Sequence, residues 1–346
     1  MKPFDILLYA LVVVGWSTSW LPLKWQVGEI APEVSLVWRF IIAGSLLMII
    51  TRLSGRRLAL PLWGHAVALV IGLFLFSTNY FFFYTGALVL PSGLLAVVFA
   101  SASLINLFYS AAVFRTPITP LGLVASALGF AGILLLYWPE IAGQGSGPSG
   151  EDSTLAVSAL AALGLCILGT LSFCSGNMVS TAAQRRDLPV MGSTAWAMLY
   201  GASLMLALSL IRGQELAIEV SWQYIGGGLW LAVFGSVLAF SAYLTLLGRI
   251  GASRAAYATV LFPPIALGIS TLVEGYQWSW SALIGLPLVL VGIVLINQTR
   301  RPAAPPPLPP AGSSSPPSPS SPSSPSSPPS PPSPPEGSNP QKAKTP

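Results

Sequence analysis

Long apolar runs alternate with short polar connections along most of the chain. Ten of these runs approach or reach the roughly 20 residues that an α-helix needs to cross a lipid bilayer. The pattern therefore predicts an all-α polytopic membrane protein with ten transmembrane helices. The predicted spans are Ile6–Leu23, Val34–Ile50, Ala66–Leu88, Gly93–Val113, Leu121–Trp138, Leu155–Met178, Met191–Ile211, Tyr224–Leu247, Ala255–Val273 and Ala282–Ile296.

Basic residues test this number of helices, because the cytoplasmic loops of membrane proteins carry an excess of Lys and Arg. Alternate loops and both termini hold thirteen basic residues, whereas the intervening loops hold only Lys24 and Arg212. Both termini are therefore predicted to be cytoplasmic. The thirteen residues are Lys2, Arg52, Arg56, Arg57, Arg115, Arg185, Arg186, Arg249, Arg254, Arg300, Arg301, Lys342 and Lys344.

Composition agrees with this pattern, since 53% of the residues are hydrophobic and only 8% are charged, against about 25% charged in soluble domains. The first apolar run contains Trp16 and Trp20 and lacks a small-x-small cleavage site, so we interpret it as a transmembrane helix and not as a signal peptide. Cys166 and Cys174 lie about 12 Å apart along one predicted helix, which is too far for a disulfide within it.

A weak internal repeat divides the chain into halves. A shift of 160 residues aligns Ala96 with Ala256 and Gly132 with Gly292 without a gap between them. Because each half holds five helices, an odd number, the second half must begin on the opposite side of the membrane and the repeat must be inverted. The predicted units are a first repeat at residues 1–140, an acidic Gly/Ser-rich outer loop at 141–154, a second repeat at 155–300 and a disordered Pro/Ser-rich cytoplasmic tail at 301–346.

Two adjacent prolines, Pro263 and Pro264, lie at the centre of the ninth span. Proline lacks an N–H group, so the carbonyls four residues earlier, those of Thr259 and Val260, lose their helical partners. Broken helices at mid-membrane depth are common at transporter sites. We interpret the pair as a helix break beside a substrate site, and a kink that only shapes packing is the alternative.

Two charged residues belong to the predicted spans or their ends. Arg39 is the only basic residue inside a span, and Glu274 follows the ninth span on the same side of the membrane. The two could form a structural ion pair, or Arg39 could pair with Glu29 or Glu33. Arg39 could also snorkel to the membrane surface. The functional alternative is that both residues act as charges of a gate, or that Arg39 binds a carboxylate of the substrate.

Polar and aromatic residues at mid-depth are candidates for the lining of a substrate cavity. A buried polar group in lipid needs a partner, and a hydrogen bond between helices is the alternative role for each of them. Ser101 and Ser172 are secondary candidates, and Asn177 and Tyr243 could line an inner vestibule. The principal candidates are Trp16, Ser17, Asn79, Tyr80, Ser103, Asn106 and Ser236.

The chain resembles the EamA family of the drug/metabolite transporter superfamily from residue 4 to about residue 298. The resemblance rests on the ten helices in two repeats and on the stretches Gly15-Trp16-Ser17, Trp38-Arg39-Phe40-Ile41-Ile42-Ala43-Gly44 and Leu261-Phe262-Pro263-Pro264-Ile265-Ala266, followed by Glu274, Gly285 and Gly292. It implies a bacterial inner-membrane protein that transports small metabolites, often amino acids or related compounds, and commonly outward. The chain departs from the family at Phe114-Arg115, where a glutamate is frequent, and at Val273, where glycine is usual.

The leading interpretation is a secondary transporter that works by alternating access. No acidic residue is predicted at mid-depth, which favours an uncharged or zwitterionic substrate over a lipophilic cation. Proton-coupled efflux of lipophilic cations or drugs is the alternative within the same class. A membrane scaffold or sensor that acts through the Pro/Ser tail is the alternative from another class.

Residues for catalysis are missing from the sequence. The single histidine, His65, belongs to neither an H-E-x-x-H motif nor a Cys–His set, and no paired aspartates lie within the spans. We therefore expect no enzyme activity, no metal and no cofactor. The expected partners are a small-molecule substrate and the lipid bilayer, without nucleic acid, and a homodimer is compatible with the sequence.

Overall fold

The structure, a computed structural model, describes residues 3–115, 117–141, 159–250 and 258–299. Every regular element in these ranges is a helix. In chain order the helices are α1 (Pro3–Lys24), α2 (Pro32–Leu53), α3 (Leu62–Ala87), α4 (Ser92–Val113), α5 (Pro120–Ile141), α6 (Ala159–Gln184), α7 (Val190–Ile211), α8 (Trp222–Tyr243, helical on to Ile250), α9 (Ala258–Val273) and α10 (Trp280–Thr299).

Each predicted span coincides with one of these helices. Within the described ranges, nine helices are long and apolar enough to cross a membrane, and α9 contributes a shorter apolar stretch, Val260–Val273. The chain is therefore an all-helical polytopic membrane protein, as the sequence predicted. The predicted starts of the sixth and ninth spans, most of the acidic outer loop and the Pro/Ser tail lie outside the described residues.

Helix boundaries recur at the spacing predicted from the sequence. α3 and α8 begin 160 residues apart, and so do α5 and α10. α3 and α8 also share an irregularity, a π-helical segment at Gly72–Thr78 in the first and at Leu231–Leu238 in the second. This periodicity supports two repeats, while the inverted orientation of the second repeat and the cytoplasmic location of the termini stay predictions.

The principal helix pairs each join one half of the chain to the other: α1 with α8, α2 with α7, α3 with α6 and with α7, α4 with α9, and α5 with α10. Lipid provides no hydrophobic force between helices, so close packing of small residues holds such pairs together. In the α5–α10 pair, a Cβ at Gly132 would lie 2.6 Å from the carbonyl oxygen of Gly285, and the reverse distance is also 2.6 Å. These two glycines therefore allow backbone-to-backbone contact.

The expected interruption at Pro263-Pro264 requires a correction. α9 is helical through both prolines, because membrane helices tolerate proline where neighbouring helices accommodate the freed backbone groups. The observed irregularities lie elsewhere, and the sequence did not indicate them. α1 is interrupted at residues 18–19 and α4 at Ser101, in addition to the π-helical segments of α3 and α8.

Candidate functional site

Five aromatic side chains from α1, α3, α4 and α9 meet inside the bundle, and we name Trp16, Trp20, Phe83, Phe99 and Phe262 the aromatic cluster. The ring centroid of Trp20 lies 5.6 Å from that of Phe83 and 5.5 Å from that of Phe99. The Phe262 ring lies 6.3 Å from Phe99 and 6.5 Å from Trp16. These separations are typical of favourable aromatic pairs. Phe262 directly precedes the two prolines, which thus restrict the backbone that presents its ring.

Arg39, in α2, lies buried inside the bundle, with 3% of its surface exposed. Its Nε and Nη2 donate to Ser236 Oγ at 3.4 and 3.2 Å, and its Nη1 donates to Tyr84 Oη at 3.2 Å. The guanidinium carbon also lies 4.3 Å from the centroid of the Tyr80 ring, a cation–π contact. We name these four residues the Arg39 cradle. The partners of the guanidinium are all neutral, so the cradle retains a net positive charge.

Two of the carboxylates predicted to pair with Arg39, those of Glu33 and Glu274, bind other groups. Glu33 is fully buried and pairs with Arg212, at 3.0 Å between Oε1 and Nη1. No carboxylate lies within ion-pair distance of Arg39 in the part of the chain that the structure describes. The predicted structural ion pair of Arg39 is therefore wrong. Its burial also excludes snorkelling.

Glu274 joins α9 to the beginning of α4. Its two carboxylate oxygens accept hydrogen bonds from the backbone N–H of Ser92, at 3.0 and 3.3 Å, and one of them also accepts from the Ser92 hydroxyl. Ser92 is the first residue of α4, so the carboxylate lies at the positive end of the helix dipole. A Cβ at the adjacent Gly93 would lie 2.8 Å from Leu267 Cα, so the two helices also pack closely here. We name the Glu274–Ser92 contact the Glu274 clamp.

The interruption of α1 faces the π-helical segment of α8. Trp230 Nε1 donates to Thr18 Oγ1 at 3.1 Å, and a Cβ at Gly235 would lie 2.6 Å from Ser19 Oγ. In the same segment, Ser236 accepts the hydrogen bonds of the cradle and donates to a carbonyl five residues earlier at 2.9 Å. π-helical turns occur frequently at functional sites. The irregular parts of two helices therefore meet next to the buried positive charge.

Other predicted cavity residues carry unpaired polar atoms. Ser17 Oγ, Asn79 Oδ1 and Asn106 Oδ1 are buried and have no hydrogen-bond partner among the described residues. Asn79 Nδ2 does donate, to a carbonyl one turn earlier at 3.2 Å. Ser103 is half-buried in α4. Buried polar atoms without partners are rare in folded proteins, so Ser17, Asn79 and Asn106 stay candidates for contact with water or substrate.

The secondary candidates have different surroundings. The Ser172 hydroxyl donates to the carbonyl of Phe74 at 2.9 Å, a bond between helices, and the Ser101 hydroxyl donates within α4 at 2.5 Å. Both hydroxyl groups thus make hydrogen bonds to the backbone, which was the alternative to substrate contact for each candidate. The Tyr243 ring lies 5.1 Å from Trp16 and extends the aromatic cluster. Asn177 is half-buried in α6.

Sequence reasoning missed several members of these groups. Tyr84 shares a helical face with Tyr80, and this spacing of four residues was the one available signal for the second tyrosine of the cradle. Trp20 and Phe99 lie in apolar spans where lipid-facing and interior aromatic residues look alike. Ser92 gave no signal, because its partner is 182 residues away.

Metal-binding residues do not cluster in the structure. The described residues contain no group of three or more His, Cys, Asp or Glu side chains that could hold a metal ion. Cys166 and Cys174 are both buried as thiols. His65 Nδ1 lies 2.9 Å from Tyr200 Oη and the imidazole packs against Trp196, which is a packing arrangement.

Fold and interior together define a polytopic helical membrane protein that places a charge and polar groups between its helices. Comparison with known proteins identifies the family. The chain belongs to the EamA-like transporter family, which matches residues 4–138 and 160–298, once in each half. It is therefore a membrane transporter, with a small-molecule substrate and a bilayer environment.

Relatives match along most of their own length. The uncharacterized inner membrane transporter YedA of Escherichia coli is 27% identical over 292 residues, which cover 84% of this chain and 89% of that protein. An uncharacterized transporter of Synechocystis sp. is 29% identical over 297 residues, covering 82% and 86%. A probable amino-acid metabolite efflux pump of Salmonella typhimurium is 24% identical over 302 residues, covering 85% and 95%. The chain is thus a multi-pass protein of the bacterial inner membrane.

A solved structure shares the fold. It is described only as a "Crystal structure of protein", and it superposes with a TM-score of 0.59 at 16% identity, covering 85% of this chain and 96% of that chain. At this identity the likeness supports the helical architecture alone.

Proposed function

We propose that the protein is a secondary transporter that exports small metabolites, namely amino acids or related zwitterionic or neutral compounds. It works by alternating access between two inverted repeats, residues 1–140 and 155–300, with both termini in the cytoplasm. It acts without enzyme activity, cofactor or nucleic acid. The relative named as a probable amino-acid metabolite efflux pump supports both the substrate class and the direction.

The observation that carries this proposal is the position of the helix irregularities. The interruption of α1 and the π-helical segment of α8 adjoin each other, the Arg39 cradle and the aromatic cluster. Regular helices and an uncharged interior would make a helix bundle more stable. A charged side chain buried at the centre of a membrane costs roughly 2.5 kcal/mol or more. We interpret the irregular backbone as the part that rearranges around a bound substrate.

Two alternatives have less support. Export of lipophilic cations would bring a positive charge into an interior that already contains the buried cation of Arg39. Repulsion between like charges in close contact costs roughly several kcal/mol. A scaffold or sensor would depend on the tail. Deletion of residues 301–346 should leave export unchanged in a transporter and should abolish the role of a scaffold.

Export can be tested by profiling metabolites in the culture medium. We expect one chemical class of small molecule to accumulate outside a strain that overexpresses the protein and to be depleted outside a deletion strain, measured by untargeted mass spectrometry. Overexpression of an unrelated inner-membrane protein serves as the control for effects of membrane-protein load. Identical profiles in all strains would contradict outward transport.

Replacement of Pro263 and Pro264 by leucine should impair transport without loss of expression. Leucine restores two N–H donors for the carbonyls of Thr259 and Val260, so α9 becomes stiffer where it presents Phe262 to the aromatic cluster. Export of the identified metabolite should fall severalfold while the amount of protein in the membrane stays the same. Pro287→Leu in α10 is the matched control, because Pro287 is an exposed helical proline outside the site. Normal export by the double variant would remove the proline pair from the mechanism.

A further inference from the structure

A crevice between α2 and α8 opens on the outer surface of the helix bundle. Its volume is about 150 Å³, and its apolar lining comes from Ile42 of α2, Ile225 and Leu229 of α8, and Ile218 of the connection before α8. Between 37% and 49% of the surface of each of these four residues is exposed. Aliphatic side chains exposed within a membrane span contact lipid, whose tails are as apolar as leucine. The crevice is therefore continuous with the lipid-facing surface of the protein.

Arg39 also borders this crevice, but its charge is turned away from it. The guanidinium nitrogen atoms donate to the hydroxyl groups of Tyr84 and Ser236, at 3.2 Å each for Nη1 and Nη2. The part of an arginine that commonly packs on apolar surface is its methylene stem. Arg39 therefore presents its stem to the crevice and its charge to the cradle.

The other polar residues of the lining also use their polar groups elsewhere. Gln26 Nε2 donates to the carbonyl of Tyr224 at 2.6 Å, and Tyr224 Oη lies 2.9 Å from Ser35 Oγ. Trp38 Nε1 donates to the carbonyl of Ala217 at 3.2 Å. The lining thus turns aliphatic and aromatic surface toward the crevice and engages its hydrogen-bonding groups in contacts within the protein.

This lining suits hydrocarbon and not water. A water molecule in a protein interior needs two to four polar partners, roughly, and the lining offers almost none. Apolar side chains, by contrast, gain dispersion contacts from every carbon atom that comes within about 4 Å of them. Since the mouth of the crevice lies among the acyl chains of the bilayer, these chains are the hydrocarbon within reach.

We propose that this crevice binds one acyl chain of a membrane lipid, which inserts between α2 and α8 and packs against the methylene stem of Arg39. With about 30 Å³ for each methylene group, a volume close to that of a water molecule, the crevice holds about five methylenes. A bound chain supports the stem and so helps to keep the guanidinium in the cradle. The inference goes beyond the proposed function and does not depend on it, because it requires only that the protein lies in a bilayer.

Photo-labelling can measure binding in the crevice. The purified full-length protein is placed in phosphatidylcholine nanodiscs that contain a small fraction of phosphatidylcholine with a diazirine on one acyl chain. After illumination, mass spectrometry locates the adducts by fragmentation of the peptides. We expect Ile225 and Leu229 to carry on the order of 5-fold more label than Leu283 and Ile284 of α10, which corresponds to about 1 kcal/mol.

The two residues of α10 are suitable references for ordinary contact with lipid. Leu283 lies three residues into α10, as Ile225 does in α8, so the two positions have similar depth. Leu283 and Ile284 are exposed, and neither lines the crevice. Their labelling therefore reports the lipid that surrounds any exposed position of the bundle.

Leu229→Trp tests the crevice by filling its mouth with a larger side chain. It should lower the labelling of Ile42 and Ile225 to the level of Leu283. Leu283→Trp is the matched control, because Leu283 is 47% exposed and Leu229 is 48% exposed, and it should leave the labelling of the crevice unchanged. The comparison within the wild-type protein stands if either variant fails to fold.

Three outcomes would overturn the proposal. Equal labelling of α8 and α10 in the wild-type protein would mean that the crevice receives only ordinary surrounding lipid. Undiminished labelling of Ile42 and Ile225 in Leu229→Trp would place the chain elsewhere. In a separate arm, phosphatidylglycerol with the same diazirine chain should label the crevice as strongly as phosphatidylcholine. Labelling by the anionic lipid alone would show that a head group selects the lipid, and the assignment to an acyl chain would be wrong.

Discussion

Gly285→Ala should destabilise the protein by about 2–4 kcal/mol, because the added methyl group has no room between α5 and α10. The new Cβ would lie 2.6 Å from the carbonyl oxygen of Gly132 and 2.9 Å from the backbone nitrogen of Leu136. Both atoms belong to the backbone of α5, so no side chain can rotate away. α5 and α10 must separate, and in lipid the lost contact is not replaced by a hydrophobic force.

The measurement is thermal unfolding of the purified variant in detergent or nanodiscs, where we expect the melting temperature to fall by roughly 5–10 °C. Gly164→Ala is the matched control. A Cβ added to Gly164, in α6, would meet no atom within 4 Å, so alanine there should be neutral or should stabilise the helix by about 0.5–1 kcal/mol. Equal melting temperatures for the two variants would show that the α5–α10 contact is looser than the structure indicates.

The helices could be predicted from the sequence because the bilayer restricts the solutions. In lipid every backbone polar group must find a partner within its own segment, so a long apolar run must be a helix. The long apolar runs therefore located the helices. The irregularities inside them had no such signal. A π-helical turn such as Gly72–Thr78 inserts one residue into a helix without changing its hydropathy.

The candidate site shows the same contrast. Arg39 could be identified because a charge inside a span is rare. Tyr80 and Ser236, predicted from the sequence to contact substrate, lie against Arg39 in the cradle, and their contact with substrate stays a prediction. The predicted ion pair failed for a geometric reason. Glu33 precedes Arg39 by six residues, so the two side chains of α2 point roughly 120° apart. Glu33 faces α7 and Arg212 instead.

Glu274→Ala should open the end of the bundle that the Glu274 clamp closes. The wild-type carboxylate accepts hydrogen bonds from the N–H and hydroxyl groups of Ser92 at the positive end of α4. Because Glu274 is half-exposed, water weakens these bonds, and we expect the closed state to lose about 1–2 kcal/mol. Loss of this free energy from the closed state alone shifts the equilibrium between the two states. The population of the open state should therefore rise by roughly 5–30-fold.

Ser270 offers a conservative reporter for this opening. It lies one turn before Glu274 in α9, fully buried against Gly93, and its hydroxyl has no partner among the described residues. We suggest Ser270→Cys in a chain that carries Cys166→Ala and Cys174→Ala, labelled with a membrane-impermeant maleimide. The labelling rate reports the open population. It should rise roughly 5–30-fold with Glu274→Ala and less with Glu274→Gln, which keeps an acceptor oxygen for Ser92.

Glu215→Ala is the matched control, because Glu215 is an exposed carboxylate of the α7–α8 connection that does not contact α4. It changes the net charge by the same amount and should leave the labelling rate unchanged. A rate in Glu274→Ala equal to that of the control would mean that Gly93 and Leu267 close this end without the carboxylate. A faster rate together with slower export would show that closure at Ser92 is a step of the transport cycle, because a merely structural contact would alter stability and not the balance between two states.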